Sequence, residues 1–251
     1  MNRPWLPAGN APPAPLDLRQ IAAELRIARH RQRTRRLRTL YHHPMLLDAE
    51  ECQLVLVDYQ ARLMPAIFEG PAVLANALRL ARMAQLLDVP QWCTEQNPAK
   101  LGESAAELRA LVLEGNGRII PKMSFSAADS LVAALRPAER KPSAAGGNAR
   151  SLPRHLQKAV PAAAPERGSI VIAGCEAHVC LLQTALELLE QEFQVWVVTD
   201  ACSSRTERNR DAAFDRLAGN GAELVTTEMV AFEWLRTAEH PLFKSVQGLI
   251  K

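Results

Sequence analysis

The segment "GCEAHVCLLQTA" (174–185) carries two cysteines five positions apart with a histidine between them. It lies between "SIVIAG", rich in β-branched residues, and "LLQTALELLEQE", apolar at helical spacing. A thiol at such a strand-to-helix turn fits four chemistries: metal ligand, half of a disulfide, small buried hydrophobe, or nucleophile. Two other reactive side chains hold equivalent places. Asp58 follows the apolar run "CQLVLV", and Lys122 ends "GRIIPK". Singly, each has an ordinary reading: a turn or capping carboxylate, a solvated lysine, a cysteine filling core. Together they make a reactive set. A helix N-terminus and a nearby cation lower a thiol's pKa and make it a nucleophile. Asp58 would accept the Cys180 proton, and Lys122 would hold thiolate and carboxylate in register.

The elements that would position these residues follow from hydrophobic periodicity. Strands are expected at 52–58, 89–95, 117–122, 169–174, 193–201 and 222–228. Helices are expected at 71–88, 102–114, 126–136 (with Ser126 as cap), 178–191 and 206–220, with two more closing the chain. Strands alternating with helices predict an α/β fold, a parallel sheet covered on both faces. In such sheets ligands bind at the carboxyl ends of the strands, where strand order reverses. If the first and fourth strands are neighbours there, Asp58, Lys122 and Cys180 converge on one crevice.

The chain has 251 residues, 48% of them hydrophobic and 5% aromatic, so aliphatic side chains must build the core. Its net charge of +3 hides an asymmetry: nine arginines against Asp17 and Glu24 give residues 1–44 a charge of +7 and leave −4 on the rest. Residues 1–15 are rich in Pro, Ala and Gly and read as disordered. Leu18, Ile21, Ala22, Leu25 and Ala28 then mark an amphipathic helix leading into the basic run "RHRQRTRRLRTL". That run is a solvated face or tail, or an arm for nucleic acid or another anionic surface. A start assigned ahead of Met45 would also account for it. Residues 45–251 form the expected catalytic domain, interrupted at 137–168 by a Pro/Ala/Gly-rich insertion with one short helical candidate at 151–159. Five scattered cysteines without a secretory signal favour a reducing, cytoplasmic setting over a disulfide framework. No apolar stretch approaches the roughly 20 residues of a membrane span.

Over residues 50–251 the chain resembles the isochorismatase-like cysteine hydrolases. The likeness rests on "LVLVDYQ" (54–60), "PKMSFS" (121–126), "GCEAHVCLLQTALELL" (174–189) and "VVTDACSSR" (197–205), in order and spacing. "TEQNPAKLG" (94–102) and "TTEMVAFEWL" (226–235) point to the isochorismatase-domain-containing branch. The resemblance implies a three-layer α/β/α sandwich with six parallel strands and a triad of Asp58, Lys122 and Cys180. It also implies a cis Cys175–Glu176 bond and an oxyanion hole from the backbone N–H groups of Glu176 and Cys180. Relatives of the nicotinamidase type carry an Asp/His metal site after the second strand. "WCTEQNP" has no histidine there, so no catalytic metal or other cofactor is expected. Retention of the cysteine disfavours vinyl-ether hydrolysis.

The expected activity is hydrolysis of a small-molecule C–N bond, amide-type, through a thioester. Gln60, Phe68, Gln96, Phe125 and His178 are candidate substrate contacts because each follows a triad motif or lies near a strand end. Asp200 and Arg205 more naturally tie loops together. Relatives usually form homo-oligomers, and the "HPLFK" segment is a candidate subunit contact. Two alternatives stand beside hydrolysis: a catalytically silent binding protein with a basic arm, and a thiol redox protein in which Cys175 resolves an oxidised Cys180.

Overall fold

The computed structural model describes residues 46–115, 117–136 and 167–251. The basic segment 1–44, most of the 137–168 insertion and its helical candidate at 151–159 lie outside the described residues.

Six strands form one sheet in the order β3-β2-β1-β4-β5-β6. They are β1 (Cys52–Val57), β2 (Gln91–Gln96), β3 (Arg118–Lys122), β4 (Ser169–Gly174), β5 (Gln194–Val198) and β6 (Glu223–Val225). Every pair is parallel. The central strands β1 and β4 are buried throughout, as their unbroken apolar runs require of strands covered on both faces. One helical layer contains α1 (Gly70–Leu86), α3 (Ala106–Glu114), α7 (Thr227–Leu235) and α8 (Phe243–Ile250), with α1 against the other three. The other contains α4 (Ala128–Leu135), α5 (Leu182–Glu190) and α6 (Glu207–Gly219), with α5 against its two neighbours. This is the expected three-layer α/β sandwich. Among the described residues no helix is long and apolar enough to cross a membrane.

The chain runs outward from β1 to β3, then returns to place β4 beside β1. The reversal falls between these two strands. Val57 and Gly174 are register partners at their carboxyl ends. A Cβ on Gly174 would stand 2.5 Å from the Val57 carbonyl oxygen, so the backbones approach as closely as only glycine allows.

Several boundaries differ from expectation. The helix expected at 102–114 begins at Ala106, because a short α2 (Pro98–Leu101) ends at Gly102, which takes a left-handed φ of +76°. The helix expected from 178 opens as a π-turn, Ala177–Leu181, in which the Leu181 N–H reaches the Glu176 carbonyl five residues back at 3.3 Å. β6 stops at Val225 because Thr226 caps α7, its hydroxyl accepting from the Met229 N–H at 3.3 Å. Ser126 stands one residue before the α4 N-cap, Ala127, yet its hydroxyl accepts from the Ala128 N–H at 3.1 Å.

Candidate active site

Asp58 is the first residue after β1. Its φ of +54° turns the chain out of the strand, a left-handed conformation that Asp tolerates better than most residues. The carboxylate is fully buried and each oxygen has its own donor. Thr94 Oγ1 donates to Oδ1 at 2.7 Å, and Lys122 Nζ donates to Oδ2 at 2.7 Å. Lys122 is the last residue of β3, two strands from β1, and its side chain crosses the end of β2 to make this pair. Both partners are out of solvent. A buried pair of this kind does not by itself stabilise the fold, but losing one partner costs about 3–5 kcal/mol.

Cys180 stands in the π-turn, where the charges of the Asp58 carboxylate and the Lys122 ammonium both act on its thiol. Asp58 and Lys122 are in direct contact, and their charges reach Cys180. Their electrostatics differ from the sequence expectation of a thiol acidified by a helix terminus and a cation. Burial, then the negative charge of Asp58, push the Cys180 thiol up to about 12, against a smaller lowering by Lys122. The resting site therefore holds a neutral thiol beside a carboxylate, not a preformed thiolate. The Cys175–Glu176 bond is cis, as the resemblance implied. Cys175 and Cys180 are both free thiols, and Cys175 is fully enclosed, with its N–H donating to the Val57 carbonyl at 3.0 Å.

The remaining candidates are distributed around this centre. Gln96, the last residue of β2, accepts from Lys122 Nζ at 2.7 Å and donates to the Met123 carbonyl at 2.7 Å. Gln60 is fully buried and bonds both the N–H and the carbonyl of Gln96. The Phe125 carbonyl accepts from Lys122 Nζ at 3.0 Å, while the residue itself is 56% exposed. The Phe68 ring lies under the Arg210 guanidinium, and its N–H donates to the Ser204 carbonyl at 2.8 Å. His178 Nδ1 is 2.9 Å from the Ser204 hydroxyl, and Nε2 is 3.4 Å from Asn209 Nδ2. Asp200 and Arg205 bridge loops. Asp200 accepts from the Thr227 N–H and hydroxyl, and Arg205 pairs with Glu176 at 2.7 Å. Among the described residues no group of three His, Cys, Asp or Glu side chains is arranged to hold a metal ion.

Thr94 was not singled out from the sequence. Its signal is positional: it is the register partner of Val57, the residue before Asp58. The Tyr59 hydroxyl donates to the Ala201 carbonyl and anchors the residue next to Asp58 in the core.

Comparison with known proteins bears on the family and the fold. The isochorismatase domain model matches residues 154–229. Isochorismatase domain-containing protein 2A of Mus musculus is 36% identical over 202 residues, covering 80% of this chain and 84% of the relative. Among solved structures, the MAR1 ribonuclease of Caenorhabditis elegans superposes with a TM-score of 0.66 at 29% identity, over 82% of this chain and 92% of that one. The YcaC gene product of Escherichia coli, described as an octameric hydrolase of unknown specificity, superposes with a TM-score of 0.65 at 24% identity, over 83% of this chain and 96% of that one. With the fold and a relative 36% identical over four fifths of its length in agreement, the chain belongs to the isochorismatase domain family.

Proposed function

We propose that this chain is a cysteine hydrolase that cleaves the C–N bond of a small amide through a thioester on Cys180. The observation that carries the reading is the buried Asp58–Lys122 pair, whose two charges act on the Cys180 thiol in the turn after β4. Because the thiol is neutral at rest, its proton leaves as the sulfur attacks. Asp58 accepts that proton while the C–S bond forms and the carbonyl electrons move to oxygen. The backbone N–H groups of Glu176 and Cys180 hold the oxyanion. Collapse expels the amine with the proton from Asp58. Water then attacks the thioester, giving its proton to Asp58, which returns it to the departing sulfur. Lys122 holds the Asp58 side chain in place throughout.

Phe125, Phe68 and His178 are assigned to contact substrate, and Gln60 and Gln96 to support the site. Five free thiols support a reducing, cytoplasmic setting. Homo-oligomeric assembly follows the description of the E. coli structure. A second substrate class comes from the C. elegans relative named a ribonuclease, so RNA belongs beside amides in the test.

The test is a panel of small amides and RNA offered to the wild-type chain and to Cys180→Ala, with mass spectrometry of the quenched protein. The reading expects amide turnover by wild type alone and an acyl adduct on Cys180. Full turnover by Cys180→Ala would refute it, and Cys180-dependent cleavage of RNA alone would replace it.

A further inference from the structure

Gln96 is the register partner of Lys122 across the β2–β3 pair. It was expected to face substrate, yet both ends of its amide are engaged within the protein. Gln60 fixes it from the other side. Gln60 Oε1 accepts from the Gln96 N–H at 2.8 Å, and its Nε2 donates to the Gln96 carbonyl at 3.0 Å. One amide thus clamps the backbone of the next, and that second amide grips the ammonium.

A lysine ammonium has three N–H donors and no acceptor. Around Lys122 Nζ stand Asp58 Oδ2 at 2.7 Å, Gln96 Oε1 at 2.7 Å and the Phe125 carbonyl at 3.0 Å, with the Ser124 carbonyl farther at 3.3 Å. The three nearest oxygens match the three protons. The ammonium charge also acts on the Cys180 sulfur, and a thiol sulfur is a weaker acceptor than any of these oxygens.

We propose that Gln96 is a positioning residue: by occupying one N–H of Lys122 it locks the ammonium against Asp58 and withholds that proton from the Cys180 sulfur. Lys122 then acts as a fixed charge and not as a proton donor, which leaves Asp58 as the one base available to the thiol. The hydrolase reading supplies the catalytic meaning of this arrangement, but the arrangement is testable without any substrate.

Gln96→Met removes the acceptor at nearly the same length. With that oxygen gone only the more distant Ser124 carbonyl, at 3.3 Å, can take its place, so more of the ammonium charge is left to stabilise a Cys180 thiolate. Gln96→Glu keeps the acceptor and adds a negative charge, which disfavours the thiolate. A Gln96 that served packing alone would shift both variants in the same direction. The readout is the rate of Cys180 alkylation by iodoacetamide at neutral pH, resolved by peptide mass spectrometry because five cysteines are present. Alkylation is expected to be about tenfold faster in Gln96→Met and about tenfold slower in Gln96→Glu, the lower end for one hydrogen bond to a charged group. In a Lys122→Met background, Gln96→Met should have no effect. Shifts of the same sign in both variants, or a Gln96→Met effect that persists without Lys122, would overturn the proposal. If a thermal melt shows Gln96→Met unfolded, Gln96→Asn withdraws the same oxygen while keeping the amide and carries the same expectation. Amide turnover in these variants separates the two ideas: the alkylation pattern without any turnover would keep the positioning role and remove the hydrolase reading.

Discussion

A buried thiol beside a buried carboxylate keeps its proton, and that fixes the order of events at Cys180. In the proposed hydrolysis the proton passes to Asp58 during attack, so the placement of that carboxylate bears on the rate. Thr94 bears on this directly, because its hydroxyl holds the carboxylate oxygen opposite the one held by Lys122. Thr94→Val keeps the shape and removes the bond, leaving a buried lone pair unmatched at a cost of about 1–3 kcal/mol. Steady-state kinetics on a cleaved amide should show kcat about tenfold lower with KM little changed, since Thr94 touches Asp58 and not the substrate. An unchanged kcat would mean that Asp58 is positioned by Lys122 alone. Asp58, Lys122 and Cys180 were legible in the sequence as candidates because each is a reactive residue type at a strand end or in the first turn of the helix that follows one. Thr94 was not, since threonine is ordinary in a strand and its role depends on the Val57–Thr94 register. For Gln96 the sequence showed proximity to the site, but it could not show that Lys122 would claim the amide oxygen first.

At the scale of elements, the close pair β1–β4 sets the floor of the site. Asp58 leaves the end of one strand, and the Cys175–Cys180 turn leaves the end of the other. Gly174→Ala would place a Cβ 2.5 Å from both the carbonyl oxygen and the Cβ of Val57, atoms with no room to withdraw. The strands must part, and overpacking of this kind costs about 1–3 kcal/mol. Chemical denaturation should give a lower midpoint for Gly174→Ala, with amide turnover falling alongside it. A variant as stable and active as wild type would show that the pair tolerates separation. These two strands were read almost to the residue, because a strand buried on both faces is an unbroken apolar run. The break at Gly102 escaped, since its backbone is fixed by a distant donor: Gln60 Nε2 bonds the Gly102 carbonyl. The π-turn escaped because its apolar spacing resembles that of the α-helix it precedes.

Across the whole molecule, burial acts on thiols far from the site as well. Desolvation pushes Cys52 up to about 11 and Cys93 and Cys175 up to about 12, while Cys202 and Tyr59 are also raised. In the unfolded chain these thiols ionise near 9.0. As pH rises past that value the unfolded state releases protons that the folded state retains, so stability is complete below it and falls above it. Urea unfolding should therefore show a midpoint that drops between neutral and alkaline pH, and a midpoint that holds or rises would contradict the burial of these groups. At this scale the sequence was most informative: alternating strands and helices imply a covered parallel sheet, and the reversal beside β1 brings three distant residues together. The charge asymmetry of residues 1–44 says only what kind of partner such a segment would attract, not where it sits.

The account turns on opposite influences of Asp58 and Lys122 on one thiol. Iodoacetamide alkylation of Cys180 at neutral pH, compared among wild type, Asp58→Asn and Lys122→Met, measures them directly. Removing the carboxylate should speed alkylation about tenfold and removing the ammonium should slow it by a similar factor, as expected for a charge within contact distance. The double variant, which leaves no unpaired buried charge, guards against a loss of folding in either single one. Rates that stay unchanged, or that move in the same direction in both variants, would contradict a functional unit of Cys180, Asp58 and Lys122.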